Sequence, residues 1–360
     1  MPPIAETSSL SHLAPPFNPS PRPSKRLRVP PPEVPQELGE LIKRDVLLLQ
    51  QMGWQNFVKL RRRRGDLSSL KFPHPASRLL QHYKFHGAPV KLHTQPWTPQ
   101  QISNALQRGP HRSSLQYIDY LEEEFVDMIN KGQWLILPFS TAKHLPNLRI
   151  SPPGVIPQRG RRPRWICDYT WSGVNGDTIP LAPLESMQFG NALDRFLREL
   201  LLADPKLGPI FMLKLDISDG FYRMAVAPTD IPKLGVAFPT RPGSEPLIAL
   251  PLVLPMGWKN SPPVFSAATE TSADIANTAL QSRMPANPHP LDAHAAILDD
   301  PISNDVQTSN NATTTSTTTP PTSTLPPPIR DPCLPPQPSP ASYVDVFVDD
   351  FIALCQGYTQ

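Results

Sequence analysis

The chain has 360 residues, 50 of them proline and 39% hydrophobic, so part of it cannot fold compactly while the rest suffices for one sizeable core. Net charge is +3, which excludes a strong global field and leaves local clusters as the electrostatic signal. Cys167, Cys333 and Cys355 have no paired spacing, which excludes a disulfide framework or a cysteine zinc site and fits a reducing compartment.

Residues 1–36 are rich in Pro and Ser and are expected to be disordered. They lack the charged start and apolar run of a secretory signal. Leu38, Leu41, Ile42, Leu48, Leu49 and Met52 fall near one face of a predicted helix. A second helix is predicted over Leu115 to Lys131, with Ile118, Leu121, Phe125 and Met128 on its stripe and Gly132 as its stop. The sequence between them has no assignable pattern, and 37–147 is set apart as a helical N-terminal segment. The basic runs Lys25-Arg26-Leu27-Arg28 and Arg61-Arg62-Arg63-Arg64 are read as solvated surface, with nucleic-acid contact or a nuclear address as the alternative. His82 and His86 are spaced as a metal pair on a helix but have no third ligand nearby, so the spacing is read as chance.

From Leu148 the signals become denser. Arg149, Arg159, Arg161, Arg162 and Arg164 occur with no acid among them before Asp168. A helix is predicted near Glu185 to Ala203, closed by Asp204-Pro205. A strand follows from Phe211 to Ile217, with Phe211, Leu213, Leu215 and Ile217 facing one way and Lys214 and Asp216 the other. The longest apolar stretch, Leu247 to Trp258, is broken by Pro251 and Pro255 and is too short to cross a membrane. Ser261 is a good helix N-cap with Pro262 at the first helical position, and Phe265, Ala268, Ser272, Ile275 and Ala279 form a stripe behind it that allows close approach. Residues 284–341, dominated by Asn, Thr, Ser and Pro, read as a disordered insertion. Over 342–360, Val344, Val346 and Val348 alternate until Asp349-Asp350 interrupt them, and Phe351-Ile352-Ala353-Leu354 resume the run. This is a hairpin with two acids at its tip, which repel each other unless a cation is placed among them. Asp299-Asp300, in polar sequence, is read as merely solvated.

Three acids thus stand out: Asp216 at a strand end, and Asp349 with Asp350 at a turn. Between them lies Leu254-Pro255-Met256-Gly257-Trp258-Lys259-Asn260-Ser261-Pro262-Pro263-Val264-Phe265. The ordered set resembles the reverse transcriptases of long-terminal-repeat retroelements. Leu215-Asp216-Ile217-Ser218-Asp219-Gly220-Phe221-Tyr222 is similar to that family's first palm motif. Leu254 to Phe265 is similar to the second, and Phe347-Val348-Asp349-Asp350 to the third, where the first position is more often Tyr. The arginine-rich stretch ending Arg164-Trp165-Ile166-Cys167-Asp168-Tyr169, with Asn175 beyond it, is similar to the family's fingers motif. The resemblance covers roughly 148–357.

The resemblance implies an α+β fold: a polymerase palm with an antiparallel sheet flanked by helices, plus a fingers subdomain over 148–283. It implies RNA-directed DNA synthesis with two Mg²⁺ ions about 3.5–4 Å apart, or Mn²⁺ in their place, on the attacking and leaving oxygens. Asp216 and Asp349 would be bridging ligands, Asp350 a nearby third acid, and the Ile217 carbonyl a further ligand; hard cations take hard oxygen donors. Phe221 would pack against the sugar of the incoming deoxynucleotide and disfavour a 2′-hydroxyl, although Phe also suits a core position. Met256 stands where retroviral enzymes commonly have Gln, so any substrate contact there is apolar, and Gly257 would let the backbone approach the nascent base pair. Arg164, and Arg159 if the loop is slightly shortened, would bind phosphate; the alternative is a solvated loop or nonspecific nucleic-acid contact. The implied partners are an RNA or DNA template with its primer, deoxynucleoside triphosphates and C-terminal polyprotein domains, with no membrane, in a cytoplasmic particle or the nucleus.

Two departures bear on this reading. Asp216 and Asp349 are farther apart than the family's spacing, which the insertion accounts for at small cost in loop closure. The sequence also ends soon after Asp350, before the family's thumb and its general-acid Lys, so a truncated fragment is expected. The alternatives are a catalytically inactive remnant that only binds nucleic acid and a palm RNA polymerase, which Phe221 opposes. A capsid-like role gives no reason for three acids amid such motifs.

Overall fold

A computed structural model describes residues 37–62, 72–181, 188–282 and 339–357. The predicted leader over 1–36, most of the predicted insertion, the first residues of the helix predicted from Glu185, and Arg63-Arg64 lie outside them. The described chain is a mixed α+β fold. It runs α1 (Leu38–Arg61), α2 (Ser77–His86), α3 (Pro99–Arg108), α4 (Arg112–Leu115), α5 (Ile118–Asn130), β1 (Trp134–Pro138), α6 (Phe139–Ala142), β2 (Ile150–Ser151) and β3 (Pro153–Ile156). It continues through β4 (Arg164–Cys167), α7 (Val174–Asp177), α8 (Ala192–Leu202), β5 (Ile210–Asp216), β6 (Gly235–Phe238), β7 (Leu247–Pro251), α9 (Ser261–Ser282), β8 (Ser342–Phe347) and β9 (Asp350–Gln356). Among the described residues no helix is long and apolar enough to cross a membrane.

Local signals set several boundaries. The predicted helix at Leu115 is α5, which starts at Ile118. It ends as expected at Gly132, whose φ of 69° accompanies bonds from the Gly132 and Gln133 amides to the Ile129 and Met128 carbonyls. The previously unassigned stretch contains α3, begun by Pro99 behind Thr98 in a reciprocal cap with Gln101. At α9 the cap differs from expectation. The Asn260 carbonyl takes the first helical bond, from the Val264 amide, while the Ser261 hydroxyl donates back to the Pro255 carbonyl at 2.7 Å. The buried face of α9 also differs: Phe265, Thr269 and Ala273 face inward, whereas Ser272 and Ile275 are exposed.

Three sheets result. The largest has the order β1-β7-β6-β2, antiparallel except for the parallel β6–β2 pair. Its strands read as continuous apolar runs because both faces are covered: Trp134, Leu135, Ile136 and Leu137 are fully buried. Helices α1 and α5 lie in the same core, with Leu41, Phe57, Leu121 and Phe125 among its buried members. Phe125 meets Trp134, Trp165 and Phe238 edge to face at 5.5, 5.2 and 4.9 Å between ring centres.

The second basic run is corrected at its start. Arg61 donates to the Ile129 carbonyl at 2.7 Å and pairs with the buried Asp45 at 3.4 Å, so it ties α1 to α5 instead of coating the surface. Burial pushes the Asp45 carboxyl up against the opposing pull of Arg61 and Arg44, and it pushes Arg62 down to about 10. A long guanidinium at a helix end reaches an inward-facing acid that the four-arginine pattern does not reveal. Arg149, grouped by sequence with the later arginines, is likewise buried. It binds Asp177 and Thr94 beneath the Trp97 ring, fastening residues 94–97 beside β2.

The second sheet is the β3–β4 hairpin, and the third has the order β5-β9-β8, antiparallel throughout. This third sheet has a small core of its own in Phe196, Ala203, Ala341 and Leu354. Ala341, predicted to belong to the insertion, is therefore part of the fold, and its carbonyl accepts from the Gln356 amide at 2.8 Å.

Candidate active site

The hairpin of β8 and β9 closes through Val348 and Asp349, with Phe347 paired to Asp350. Asp350 is thus the first residue of β9, and of the two acids only Asp349 lies in the turn. Positive φ at the first central residue, 59° at Val348, fits the II′ turns that suit two-residue hairpins. A β-branched residue pays about 1–3 kcal/mol for this conformation. Two contacts hold it: Val348 packs against the main core, and the Asp349 carbonyl accepts from the Ile217 amide at 3.0 Å.

That bond joins the turn to the end of β5, where Asp216 is the direct cross-strand partner of Asp350. The three acids nominated from sequence therefore gather at one end of one sheet. Their immediate cation is Lys214, whose Nζ lies 2.8 Å from an Asp350 carboxylate oxygen. Lys214 is two residues before Asp216 on the same strand, so the two share a face. The hydrogen bond to Asp350 and the charges of Asp350, Asp216 and Asp349 hold its ammonium above the usual lysine range. Among the described residues no three His, Cys, Asp or Glu side chains converge as a ready metal cage.

Beyond Asp216 the chain turns into a short 3₁₀ segment, Gly220–Arg223. A Cβ on Gly220 would lie 3.0 Å from the Phe265 ring and 3.2 Å from the Asp349 Cβ, so the first helical turn of α9 and the acid turn meet over this glycine. Phe221 is half-buried and packs edge to face on Phe265 at 5.4 Å. It is thus both a packing residue and accessible beside the acids.

The loop before α9 presents Met256 half-buried and Gly257 exposed. Gly257 has φ 97°, and a Cβ there would lie 2.3 Å from the Cys167 carbonyl oxygen at the end of β4. Asn175 clasps the same loop, donating to the Gly257 carbonyl and accepting from the Lys259 amide, both at 2.9 Å. Trp258 Nε1 adds a bond to Thr178, and Asn260 one to the Ile179 carbonyl. The β3–β4 hairpin is therefore tied to the loop, and the loop through Phe265 and Gly220 to Asp349.

Arg164 opens β4 and Arg159 lies in the β3–β4 turn, both exposed. Arg162 pairs with Glu124, while no described hydrogen bond or ion pair connects Arg159 or Arg164 to the acid end. Asp168 accepts from the Trp171 amide and faces His111 at 3.0 Å. Cys167 is buried, and burial raises its thiol to about 12, which leaves it inert.

Sequence reasoning missed the support under the hairpin. Asp345 is buried and receives two bonds from Arg195 of α8, at 2.7 and 2.8 Å, and one from the Tyr343 hydroxyl at 2.7 Å. Burial first, then Asp345, pushes Tyr343 up to about 12. On the outer edge of β8, Asn277 bonds both the amide and the carbonyl of Val344, at 2.8 and 2.7 Å, and so stands in for a further strand. An acid inside the alternating run Tyr343-Val344-Asp345-Val346 was the available signal, since a charge on a strand face packed by a helix needs a partner.

Compared with protein-family models and with curated proteins, the chain matches none.

Proposed function

We propose that this chain is the fingers-and-palm portion of an RNA-directed DNA polymerase of the long-terminal-repeat retroelement type. One observation carries the reading: four sequence segments that resemble that family's motifs, far apart in the chain, are in contact. Asp216 pairs with Asp350, Ile217 bonds Asp349, Gly220 separates Asp349 from Phe265, and Gly257 abuts Cys167. A fold with another purpose has no evident need to gather these segments.

The donor chemistry fits a hard cation. Asp216, Asp349 and Asp350 offer only carboxylate oxygens, which suit Mg²⁺ or Mn²⁺ and no soft metal. Asp216 and Asp349 would hold the ions, with the Ile217 carbonyl beside them. Bound Mg²⁺ would lower the cost of ionising the primer hydroxyl and of releasing pyrophosphate. In the reaction the primer 3′ oxygen forms a bond to the α-phosphorus while the bond to pyrophosphate breaks. Arg164 and Arg159, exposed on the β3–β4 hairpin, would take the triphosphate by charge-assisted bonds. Phe221, braced by Phe265, would crowd a 2′-hydroxyl, and the Gly257 backbone would approach the nascent pair.

A second reading, nucleic-acid binding without catalysis, is favoured by one feature: Lys214 already occupies Asp350. Mg²⁺-dependent dTTP incorporation on an RNA template with a DNA primer separates the two. Polymerase function requires incorporation that prefers dTTP to UTP. Salt-sensitive RNA–DNA binding with no incorporation supports the binding-only reading.

A further inference from the structure

The pair Asp349-Asp350 looks like two equivalent acids in sequence, but their surroundings differ. Asp349 lies in the turn, its carbonyl bound to Ile217 and its Cβ against Gly220. Asp350 is already in β9, opposite Asp216, and its carboxylate is taken by Lys214 at 2.8 Å. Lys214 stands opposite Ile352, two pairs further along the ladder, so it reaches Asp350 diagonally on the face that also carries Asp216. Arg195 is committed to Asp345. Among the described residues Lys214 is the cation paired with Asp350.

We propose that Lys214 is a positioning residue that withholds Asp350 from the metal-ligand set, leaving Asp216 and Asp349 as the acids that take a divalent cation. This rests on the polymerase reading of the site. Three carboxylates at one sheet end carry three negative charges, and the ammonium cancels one of them. A carboxylate oxygen donating electron density to an ammonium is a poorer ligand for a second cation. The pair therefore sets the site's charge and reduces its ligand count, and Lys214 acts as a determinant of metal affinity without touching the metal.

Calorimetric titration of Mn²⁺ into the full chain tests this without any turnover. With Lys214→Met, Asp350 is freed and Mn²⁺ binding is expected to tighten about 3–10-fold, the order expected for one partly screened unit charge at short range. With Asp350→Asn, the ammonium is left beside two acids, and binding is expected to weaken by a similar factor. The double variant Lys214→Met/Asp350→Asn should return to within about twofold of the parent by the same charge count, and Lys214→Arg should keep the parent affinity. Unchanged affinity in Lys214→Met, or a double variant as weak as Asp350→Asn, would overturn the proposal, since the latter marks Asp350 as a direct ligand. Asp216→Asn separates this from failure of the wider reading. If Mn²⁺ binding is lost there but insensitive to Lys214, the acid site stands and the positioning role falls. If the parent binds no Mn²⁺, or Asp216→Asn binds as the parent does, both fall.

Discussion

The β1-β7-β6-β2 sheet and the β5-β9-β8 sheet are built from similarly apolar strands, yet they are used in opposite ways. In the first, every residue from Trp134 to Leu137 is fully buried, and aromatic rings from a hairpin and two strands meet on Phe125 of α5. In the second, Phe211, Met212, Leu213 and Leu215 of β5 are 47%, 68%, 55% and 57% exposed. The acids are placed on this less buried sheet, which is joined to the large core through Val348, Ile217 and Phe221. Charged groups can gather there without the desolvation cost that the larger sheet would impose. Order at the acid end comes instead from specific bonds: Ile217 to Asp349, Arg195 to Asp345, and Asn277 to Val344.

If that division is right, substitutions should separate the two sheets. The largest effect is expected from Phe125→Ala, which removes the ring shared by three aromatic contacts and should cost about 3–5 kcal/mol in denaturant unfolding. Arg195→Met leaves Asp345 buried without its cation. Because Arg195 is itself partly exposed, the loss should be about 2–4 kcal/mol, and hydrogen exchange should accelerate in β8 before it does in β1. An equal acceleration in both sheets would break the comparison.

The buried Arg149–Asp177 pair offers a pH test on the large-core side. Burial works against the Asp177 carboxylate, but hydrogen bonds from Thr94 and Arg149 outweigh it and depress its pKa. A depressed folded-state value adds stability above the unfolded carboxylate pKa near 3.9, and that stability is lost as pH falls through the folded value. Asp177→Asn should therefore lower stability by about 1–3 kcal/mol at pH 7 and flatten the decline below pH 4. The smallest effect belongs to Leu213→Ala on exposed β5, expected within about 0.5 kcal/mol of the parent in the same unfolding experiment. A cost near that of Phe125→Ala would mean that β5 is covered in solution.

The same contrast explains what the sequence could reveal. The hairpin was legible because Val344, Val346 and Val348 alternate up to a pair of acids that has no packing role. The close of α5 was legible because Gly132 follows an amphipathic stripe. The large sheet was not: β1, β6 and β7 are four or five residues long and buried on both faces, so they show no alternation. Leu247 to Pro251, which forms β7, stands out in sequence only as part of an apolar stretch too short to cross a membrane. At the site, the three acids and Gly257 could be nominated from sequence. The bonds that Lys214 makes to Asp350 and Asn175 to Gly257, and the Arg195–Asp345 support beneath the hairpin, could not, because they depend on register and tertiary placement. The basic run at Arg61 misled for the same reason, since nothing near it in sequence points to Asp45.

We propose nucleotidyl transfer at the acid end of the small sheet. The most direct test is dTTP incorporation on an RNA template with a DNA primer by the parent chain and by Asp349→Asn, with primer–template affinity measured in parallel. The account expects the parent to incorporate, and Asp349→Asn to lose at least about a hundredfold in rate, equivalent to about 2.7 kcal/mol of barrier, while binding the duplex as before. Incorporation by Asp349→Asn at the parent's rate would contradict it.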